Sequence, residues 1–514
     1  MRSILWVILA ALSIQVAQAQ ISRARVTGGE VSGTAENGIS IFKGIPFAAP
    51  PVDALRWKAP APVRPWSGVK HADAFAHACM QPPHSQGNTA PVSEDCLYLN
   101  VWTPAKSARD RLPVIVWIHG GGYVGGSTSI SLYDGSGYAH KGVVLVSLAY
   151  RLGPYGFLAH ADLSRESGHG SGTYGIQDLI AGLKWVQKNA AAFGGDAHNV
   201  TVFGHSAGSG AVSILAASPL AKGLFQRAIA MSGASFAPLQ TTAEGGSGLS
   251  IPTLKLAEQN GAVFLSRLGA KSVAEARSLS AEAIQAATGG GLAFRPVADG
   301  YVLPTDAYTL YQRGKFNDTP LLLGDVSDET LVFGGPKSLT PAEFETQIRK
   351  EFGEQADAVL GVYPHATDAQ ALSAARQVRN DTQFDWSMWT WAREQSKQGK
   401  GKVFNYFYNN HAPQAEGSGH GSDVGFHFQT LAVRGTPKKE DLALSDIISS
   451  YDVNFAKTGD PNGPGLPQWP AFTDQNQQVM VYDPTPATPS ARTYPLLDRV
   501  RVLDKYFERL RKAQ

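Results

Sequence analysis

The most constraining feature of this sequence is a series of short, continuously apolar runs separated by segments with helical periodicity. An apolar run without alternation indicates a strand buried on both faces, as in a parallel sheet covered by helices. Residues 177–193 have the intervening helical pattern. Strands that alternate with helices predict an α/β fold with a large, mostly parallel central sheet. The apolar runs occupy residues 114–118, 143–148, 200–203, 228–231, 320–323 and 403–407.

Residues 1–19 have the pattern of a secretory signal peptide. A positive charge precedes an apolar run too short to span a bilayer, which takes about 20 residues, and small residues precede a cleavage point after Ala19. We therefore expect residues 20–514 to form a single domain and the protein to be secreted or periplasmic. In such a compartment the two cysteines of the sequence, Cys79 and Cys96, are expected to form a disulfide.

The balance of charges argues against polyanionic partners. Lys and Arg total 45 while Asp and Glu total 43, which gives a formal net charge of +2, and the sequence contains no basic tract. Nucleic acid and anionic membrane surfaces are therefore not expected partners. The sequence also lacks a cluster of metal-ligand residues, so we expect neither a metal nor an organic cofactor. It does not predict an oligomeric state.

Residues 204–208 read Gly-His-Ser-Ala-Gly and follow the apolar run 200–203. A helix-compatible segment, residues 211–216, comes soon after them. This strand–turn–helix context is required for the nucleophile elbow of an α/β-hydrolase, because small flanking residues allow a serine to occupy a strained turn at the sheet edge. The pattern predicts that Ser206 is a nucleophile.

A glycine-rich segment, His-Gly-Gly-Gly-Tyr at residues 119–123, follows the first apolar run. Acyl transfer passes through an oxyanion that backbone N–H groups stabilise, and we predict Gly121, Gly122 and Ala207 as the donors. Residues 120–125 also fit Gly-x-Gly-x-x-Gly, a dinucleotide-binding pattern. That pattern must open a helix, whereas Gly-Ser-Thr-Ser-Ile-Ser follows here and starts a helix poorly, so the dinucleotide interpretation is disfavoured.

The catalytic base should be a histidine that lies after the nucleophile and the acid in the chain. Four histidines lie late enough: His365, His411, His420 and His427. His427 stands between two phenylalanines, His411 precedes an Ala-Pro turn, and His365 follows a proline in a polar linker. His420 lies in Gly-Ser-Gly-His-Gly, a flexible segment that suits the presentation of a side chain, and is predicted as the base.

The acid partner should follow a strand between the serine and the histidine. The apolar run 320–323 ends in Gly-Asp-Val-Ser-Asp-Glu, which offers Asp325, Asp328 and Glu329. A carboxylate in this role orients the imidazole and stabilises its charged form. Spacing alone does not choose among the three acids.

Taken together, these motifs resemble those of the type-B carboxylesterases, which are relatives of the cholinesterases. The similarity extends over nearly the whole chain after residue 19. It implies a serine esterase of the α/β-hydrolase fold, with helical and loop insertions over the active site. It rests on Phe-Lys-Gly-Ile-Pro-Phe-Ala at 42–48, Ser-Glu-Asp-Cys-Leu-Tyr-Leu-Asn-Val at 93–101, Tyr-Arg-Leu-Gly at 150–153, Phe-Gly-Gly-Asp at 193–196 and Thr-Gly-Asp-Pro-Asn at 458–462.

The resemblance also implies roles for individual residues. It implies a Ser–Glu–His triad and selects Glu329, which lies in Asp-Glu-Thr where the family usually has Asp-Glu-Gly. It supports His420, which stands at the family's His-Gly position, and it supports the pairing of Cys79 with Cys96. Ser232, in Met-Ser-Gly, is similar to a family serine that lies close to the triad.

Two departures from the family pattern bear on the substrate. The family often has Glu immediately before the nucleophile, where this chain has His205. The segment between the two cysteines contains no aromatic residue, whereas choline esterases place a tryptophan there to hold the quaternary ammonium. Both departures predict hydrolysis of neutral carboxylic esters rather than choline esters. A non-catalytic binding protein is disfavoured because every triad position is filled, while a lipase acting at lipid interfaces stays an alternative.

Overall fold

The computed structural model describes residues 20–242, 250–289 and 291–512. The expected signal peptide, residues 1–19, lies outside the described residues. Within the described part, no helix is both long enough and apolar enough to cross a lipid bilayer.

Sixteen strands occur in the described part of the chain, and eleven of them form one large sheet. The strands are β1 (Arg23–Val26), β2 (Gly29–Ser32), β3 (Thr34–Glu36), β4 (Ile39–Pro46), β5 (Val69–His71), β6 (Ala78–Cys79), β7 (Val92–Ser93), β8 (Tyr98–Thr103), β9 (Leu112–Ile118), β10 (Val144–Leu148), β11 (Gly195–His205), β12 (Arg227–Met231), β13 (Leu321–Val326), β14 (Val403–Tyr408), β15 (Gln478–Tyr482) and β16 (Ser490–Thr493).

The large sheet has the order β16-β15-β14-β13-β12-β11-β9-β10-β8-β4-β3. Its seven central strands, from β10 to β15, pair in parallel. The outer strands pair antiparallel at both ends. The sheet is therefore mixed and mostly parallel, as the apolar runs predict, and each of the six runs lies within or overlaps one of the parallel strands.

Helices cover both faces of this sheet, and short 3-10 turns link many of them. The helices of the described part are α1 (Ser136–His140), α2 (Gly153–Phe157), α3 (Ala161–Ser167), α4 (Tyr174–Asn189), α5 (Ala207–Ala217), α6 (Leu254–Arg267), α7 (Val273–Arg277), α8 (Ala281–Ala286), α9 (Ala307–Gln312), α10 (Pro341–Phe352), α11 (Ala356–Leu360), α12 (Asp368–Asn380), α13 (Trp386–Gln398), α14 (Val424–Phe428), α15 (Lys439–Thr458) and α16 (Leu497–Lys512).

Strand β9 explains why the central runs are apolar at every position. Val114 and Val116 belong to the core on one face of the sheet, together with residues of α4 and α5. Ile115 and Trp117 belong to the core on the other face, together with residues of α15. Because successive strand residues point to opposite faces, a strand buried on both sides needs apolar side chains throughout.

Five strands of the described part lie outside the large sheet. Strands β1, β2 and β5 form a three-stranded sheet near the N-terminus, and β6 pairs with β7. Cys79 and Cys96 are joined by a disulfide, which confirms the predicted pairing. At the other end of the chain, α16 packs on the core through Val500, Leu503 and Phe507.

The parallel strands place the predicted site residues at one edge of the sheet. The chain leaves β9 into the glycine-rich segment, leaves β11 at Ser206, and leaves β13 shortly before Glu329. Because these strands are neighbours or next neighbours and run in parallel, their carboxyl ends lie along the same edge. Helical insertions follow β12 (α6–α9) and β13 (α10–α13). This is the α/β-hydrolase architecture with insertions beside the carboxyl edge.

Candidate active site

Ser206 occupies a strained turn between β11 and α5. Its φ of 57° and ψ of −124° lie where L-residues are seldom found. Its N–H donates to the carbonyl of Met231 at 2.8 Å, and its own carbonyl accepts from the N–H of Gly210 at 2.9 Å. Strand β12, through Met231, and helix α5, through Gly210, thus hold the serine in this conformation. Ser206 is partly exposed. This is the geometry of a nucleophile elbow.

The two glycines of the elbow are required by close packing. A Cβ added at Gly204 would lie 2.4 Å from the carbonyl carbon of Gly208. A Cβ added at Gly208 would lie 2.1 Å from the carbonyl oxygen of Ile118. No side chain fits at either position without moving backbone, so the motif residues around Ser206 are explained by the tightness of the turn.

His420 and Glu329 form a hydrogen-bonded pair beneath the sheet edge. Nδ1 of His420 lies 2.5 Å from Oε2 of Glu329. The other oxygen of Glu329, Oε1, accepts the N–H of Val326 at 3.1 Å, and the carboxylate is fully buried. In the described part, Nε2 of His420 has no hydrogen-bond partner. The structure therefore leaves this nitrogen available to a group in the cavity that Ser206 also lines.

Backbone pairing joins the loop that carries the acid to the loop that carries the histidine. The N–H of Asp328 donates to the carbonyl of Ser418 at 3.0 Å. The N–H of Ser418 donates to Oγ of Ser327 at 2.9 Å. These bonds fix the relative position of the two site residues, because Glu329 comes one residue after Asp328 and His420 comes two residues after Ser418.

The three candidate acids have different surroundings. The carboxylate of Asp328 pairs with Arg376, whose Nε lies 2.8 Å away. Asp325 is fully buried, and neither of its oxygens has a hydrogen-bond partner among the described residues. Of the three, Glu329 is the acid that the structure brings to His420.

Burial raises the pKa of the Asp325 carboxyl well above its ordinary value. The neighbouring carboxylates of Glu329, Asp423 and Asp381 raise it further. Both effects favour the protonated, uncharged form of the Asp325 carboxyl, because an unpaired buried charge is expensive.

The glycine-rich segment lies directly against the serine. A Cβ added at Gly120 would lie 2.9 Å from the Cβ of Ser206. In the described part, the N–H groups of Gly121, Gly122 and Ala207 donate no hydrogen bond to a protein acceptor. The structure thus brings the three predicted donors close to Ser206, and their role in oxyanion binding stays a prediction.

His119 stabilises the start of this segment. Its ring stacks on Tyr150 at a centroid distance of 4.7 Å, and its Nδ1 lies 2.8 Å from the carbonyl oxygen of Gly120. Burial lowers the pKa of His119 to about 4, so the imidazole is neutral. Residues 120–125 form a turn rather than a helix start, and the chain continues to a 3-10 turn at Ser131–Tyr133.

His205, which precedes the nucleophile, also belongs to the site. Its ring centroid lies 4.6 Å from that of His420. Burial, and then the neighbouring His420 and His427, hold the pKa of His205 well below its ordinary value. Its Nε2 has no partner among the described residues. A neutral imidazole therefore occupies the position where the family often has a carboxylate.

The other three late histidines lie apart from the predicted nucleophile. Nδ1 of the buried His427 lies 2.7 Å from Oδ2 of Asp452, an arrangement that fits its expected structural role. Nδ1 of the partly exposed His411 lies 3.0 Å from the carbonyl oxygen of Ala412, and Nδ1 of His365 lies 2.7 Å from that of Tyr363.

Ser232 lies at the same sheet edge as Ser206, at the end of β12. Its N–H donates to the carbonyl of Gly324 at 2.9 Å. Its side chain is fully buried, and its hydroxyl has no hydrogen-bond partner in the described part. The structure brings Ser232 to this edge but records no bond from its hydroxyl to Glu329 or His420.

A cavity of about 330 Å³ opens onto Ser206 and His420. Phe333 and Phe384 pack on the His420 ring at centroid distances of 5.2 and 5.1 Å. Sequence reasoning missed six residues of the cavity wall, because nothing in their local sequence marks them as lining a site. The missed residues are Gln86, Val124, Tyr133, Phe333, Arg379 and Gln383.

No group of three or more His, Cys, Asp or Glu residues suited to hold a metal ion occurs in the described ranges. What the site residues can supply is a hydroxyl, an imidazole paired with a buried carboxylate, and free backbone N–H groups. These are the components of nucleophilic acyl transfer.

Comparisons with known proteins extend these observations to most of the chain. The sequence model described as "Carboxylesterase family" matches residues 15–496. The chain is 34% identical over 477 residues to the fumonisin B1 esterase of Sphingopyxis macrogoltabida, with 88% of this chain and 85% of that protein covered. It is 35% identical over 474 residues to the para-nitrobenzyl esterase of Bacillus subtilis (strain 168), with 88% and 93% covered.

Two further relatives give the same result. The liver carboxylesterase of Sus scrofa is 33% identical over 492 residues, with 86% of this chain and 85% of that protein covered. A solved structure of a PNB esterase superposes with a TM-score of 0.81 at 33% identity, covering 94% of this chain and all of the other. The chain thus shares its fold and about a third of its sequence with esterases along most of its length.

Proposed function

This chain belongs to the carboxylesterase family and is a carboxylic ester hydrolase, and we propose that Ser206, His420 and Glu329 form its catalytic triad. The single observation that carries this proposal is the His420–Glu329 hydrogen bond, which leaves Nε2 of His420 for a group in the cavity lined by Ser206. The resemblance expected from the sequence motifs is confirmed at the level of the family.

In the first half-reaction, Nε2 of His420 accepts the proton of the Ser206 hydroxyl as Oγ attacks the ester carbonyl carbon. The carbonyl π bond breaks, and its electron pair goes to the oxygen, which becomes an oxyanion. The N–H groups of Gly121, Gly122 and Ala207 donate to no protein acceptor in the described part, so they are available to stabilise that oxyanion with hydrogen bonds.

The tetrahedral intermediate then collapses. The ester C–O bond breaks, His420 gives its proton to the leaving alcohol oxygen, and the acyl group stays on Ser206. In the second half-reaction, water loses a proton to His420 and attacks the acyl carbon. Collapse of the second intermediate returns the proton to Ser206 and releases the carboxylic acid.

Glu329 supports both half-reactions through His420. Its carboxylate accepts a hydrogen bond from the Nδ1–H group and so keeps the imidazole in the tautomer whose Nε2 is a base. When His420 becomes charged, the buried carboxylate stabilises the imidazolium. Ser232 is proposed as a packing residue at the same sheet edge rather than as a participant in proton transfer.

An acyl-enzyme assay tests the proposal. Mixing the enzyme rapidly with excess para-nitrophenyl acetate should release a burst of about one para-nitrophenol per site, if deacylation is the slower step. A fluorophosphonate, which forms a stable serine adduct, should label the peptide that contains Ser206 and block hydrolysis. Labelling and inhibition at a different residue would refute the assignment of the nucleophile.

We propose neutral esters rather than choline esters as substrates. The substitution of His205 for the family's carboxylate and the lack of an aromatic residue between Cys79 and Cys96 both weaken a cation site. The names of the relatives, which refer to fumonisin B1 and to a para-nitrobenzyl ester, differ in ester type and so do not select one for this chain.

Export of the protein is also proposed. It rests on the signal-like sequence of residues 1–19 and on the disulfide between Cys79 and Cys96, since disulfides persist in oxidising compartments. Fractionation of cells that express the full chain, with N-terminal sequencing of the exported product, tests it. A product that begins at Gln20 is expected, and full-length protein retained in the cytoplasm would contradict it.

A second candidate, action at lipid interfaces, is favoured by one feature. Three apolar residues beside Glu329 are exposed, namely Leu331 (40%), Val332 (59%) and Phe333 (47%). Phe333 also lines the cavity. Exposed apolar groups at the mouth of a site can contact a lipid surface. A rise in activity above the solubility limit of a long-chain ester would support this candidate, and a plateau there would support the soluble-ester assignment.

A further inference from the structure

The cavity that Ser206 and His420 line contains a cation but no carboxylate. Among the described residues of its wall, none is Asp or Glu, and Arg379 is the residue with a permanent charge. The carboxylate of Glu329 is fully buried on the Nδ1 side of His420, where it accepts a hydrogen bond from that imidazole, and it is not part of the cavity wall. A ligand that enters the cavity therefore meets a guanidinium on the described wall and no carboxylate.

Arg379 is held in place and still has donors to offer. It lies in the last turn of α12 and is half-buried. Its Nη1 donates to the carbonyl of Gly334 at 2.7 Å, which restrains the guanidinium without neutralising it. In the described part, its Nε and Nη2 groups donate to no protein acceptor. A guanidinium offers its N–H groups in a planar fork that matches a carboxylate.

Arg376, one helical turn earlier, differs from Arg379 in that its charge is paired with carboxylates. It pairs with both Asp328 and Glu416. Among the ion pairs of the described residues, by contrast, none includes Arg379. Of these two arginines of α12, the unpaired one is therefore the one that lines the cavity.

The surroundings of the nucleophile do not offset this charge. His205 stands where the family often has Glu, and burial lowers its pKa so that the imidazole is neutral. Phe333 and Phe384 offer aromatic faces, which attract cations in other sites. Here a cation beside those rings would also meet the uncompensated guanidinium of Arg379, whereas an anion would be attracted to it.

We propose that this site prefers esters that carry a second, free carboxylate, and that Arg379 is the specificity-determining residue that binds it. The inference rests on the proposed function, because it assumes hydrolysis at Ser206. The proposed function ranks neutral esters above cationic ones as substrates, and this inference ranks anionic esters above neutral ones. Arg379 also lines a neighbouring cavity of about 470 Å³, so this residue belongs to the walls of both cavities.

The carboxylate can belong to the acyl or to the alcohol part of the ester, and two matched substrate pairs distinguish these sources. The acyl pair is mono-para-nitrophenyl adipate against para-nitrophenyl hexanoate, which share the leaving group and the number of acyl carbons. The alcohol pair is the butyrate of para-hydroxyphenylacetate against the butyrate of para-hydroxyphenylacetamide. For each pair, the quantity measured is the ratio of kcat/KM for the anionic ester to that for the neutral ester.

The wild-type ratio should exceed one in at least one pair, by about tenfold, as expected for a partly screened charge pair. Arg379→Gln should reduce that ratio about tenfold, and Arg379→Lys should retain part of it because the charge remains. Arg64→Gln removes an exposed charge that lies outside the cavity wall and should leave the ratio unchanged. Salt approaching about 1 M, where the Debye length is about 3 Å, should lower the wild-type ratio.

Results against the inference are distinct from a result against the proposed function. A wild-type ratio at or below one in both pairs, a ratio that Arg379→Gln leaves unchanged, or one that salt does not lower would overturn the inference. If Arg379→Gln is too unstable to assay, Arg379→Lys and the salt dependence still decide. Hydrolysis of the neutral esters by Ser206→Ala would instead overturn the proposed function.

Discussion

Nδ1 of His420 lies 2.5 Å from Oε2 of Glu329, although the two residues are 91 positions apart in the chain. The contact exists because the loops after β13 and β14 pair through the backbones of Asp328 and Ser418. The same pairing turns the side chain of Asp328 away to Arg376. Two adjacent carboxylates therefore have different partners, and this difference leads to the first prediction.

Glu329→Gln should lower kcat by about a thousandfold or more, because a carboxamide neither fixes the imidazole tautomer nor stabilises its charge. Asp328→Asn is the matched control, since it makes the same chemical change one residue earlier. It should cost less than about tenfold, because the side chain of Asp328 pairs with Arg376 and not with His420. Steady-state rates on one soluble ester decide between them. A larger loss for Asp328→Asn would mean that the acid is misassigned by one residue.

Choline esters should be poorer substrates than neutral esters with the same acyl group. The expected difference in kcat/KM is about fivefold or more, which corresponds to roughly 1 kcal/mol. Butyrylcholine and the isosteric, uncharged dimethylbutyl butyrate form the matched pair. Equal or faster hydrolysis of butyrylcholine would mean that Phe333 and Phe384 form a cation site. Trp386 does not line the cavity, since it is buried and its Nε1 donates to Asp504.

Asp325→Asn should increase the free energy of unfolding at neutral pH. Burial raises the pKa of Asp325 in the folded protein well above the ordinary value of 3.8. The unfolded carboxyl thus loses its proton at lower pH than the folded one, so stability falls as the pH rises through this window. The variant removes this titration. Urea unfolding at about pH 5 and about pH 8 should give a smaller decline for Asp325→Asn than for the wild type. An equal or steeper decline for the variant would contradict the raised pKa of Asp325 in the folded protein.

Treatment with a chelator should leave the rate of ester hydrolysis unchanged. The proposed mechanism uses only side chains and backbone N–H groups, and the described ranges contain no cluster suited to a metal ion. Dialysis against EDTA, followed by an assay with and without added divalent ions, checks this. A loss of activity that Zn²⁺ or Mg²⁺ restores would require a different mechanism.

Residues whose position depends on local geometry could be predicted from the sequence. The elbow around Ser206 is defined by a strand, a tight turn and a helix that are consecutive in the chain, and the glycines of that turn are required by contacts within it and with β9. The central strands could be predicted for a similar reason, since burial on both faces leaves a continuous apolar run.

Residues whose role depends on partners distant in the chain could not be predicted from the sequence. Spacing does not separate Asp328 from Glu329, because the choice is made by Ser418 and Arg376. Arg379 and Arg376 look alike in the sequence as arginines one helical turn apart. Only the fold shows that one is neutralised by carboxylates while the other lines the cavity. The family resemblance selects Glu329 but contains no information about Arg379.

The most direct test of the account is the activity of Ser206→Ala. The substitution removes one oxygen atom from a partly exposed side chain, so the folded structure and its urea unfolding midpoint should be close to those of the wild type. With the nucleophile absent, kcat/KM on a soluble ester should fall by several orders of magnitude, on the order of 10⁵. Hydrolysis by the purified variant within about tenfold of the wild-type rate would contradict the assignment of Ser206 as the nucleophile.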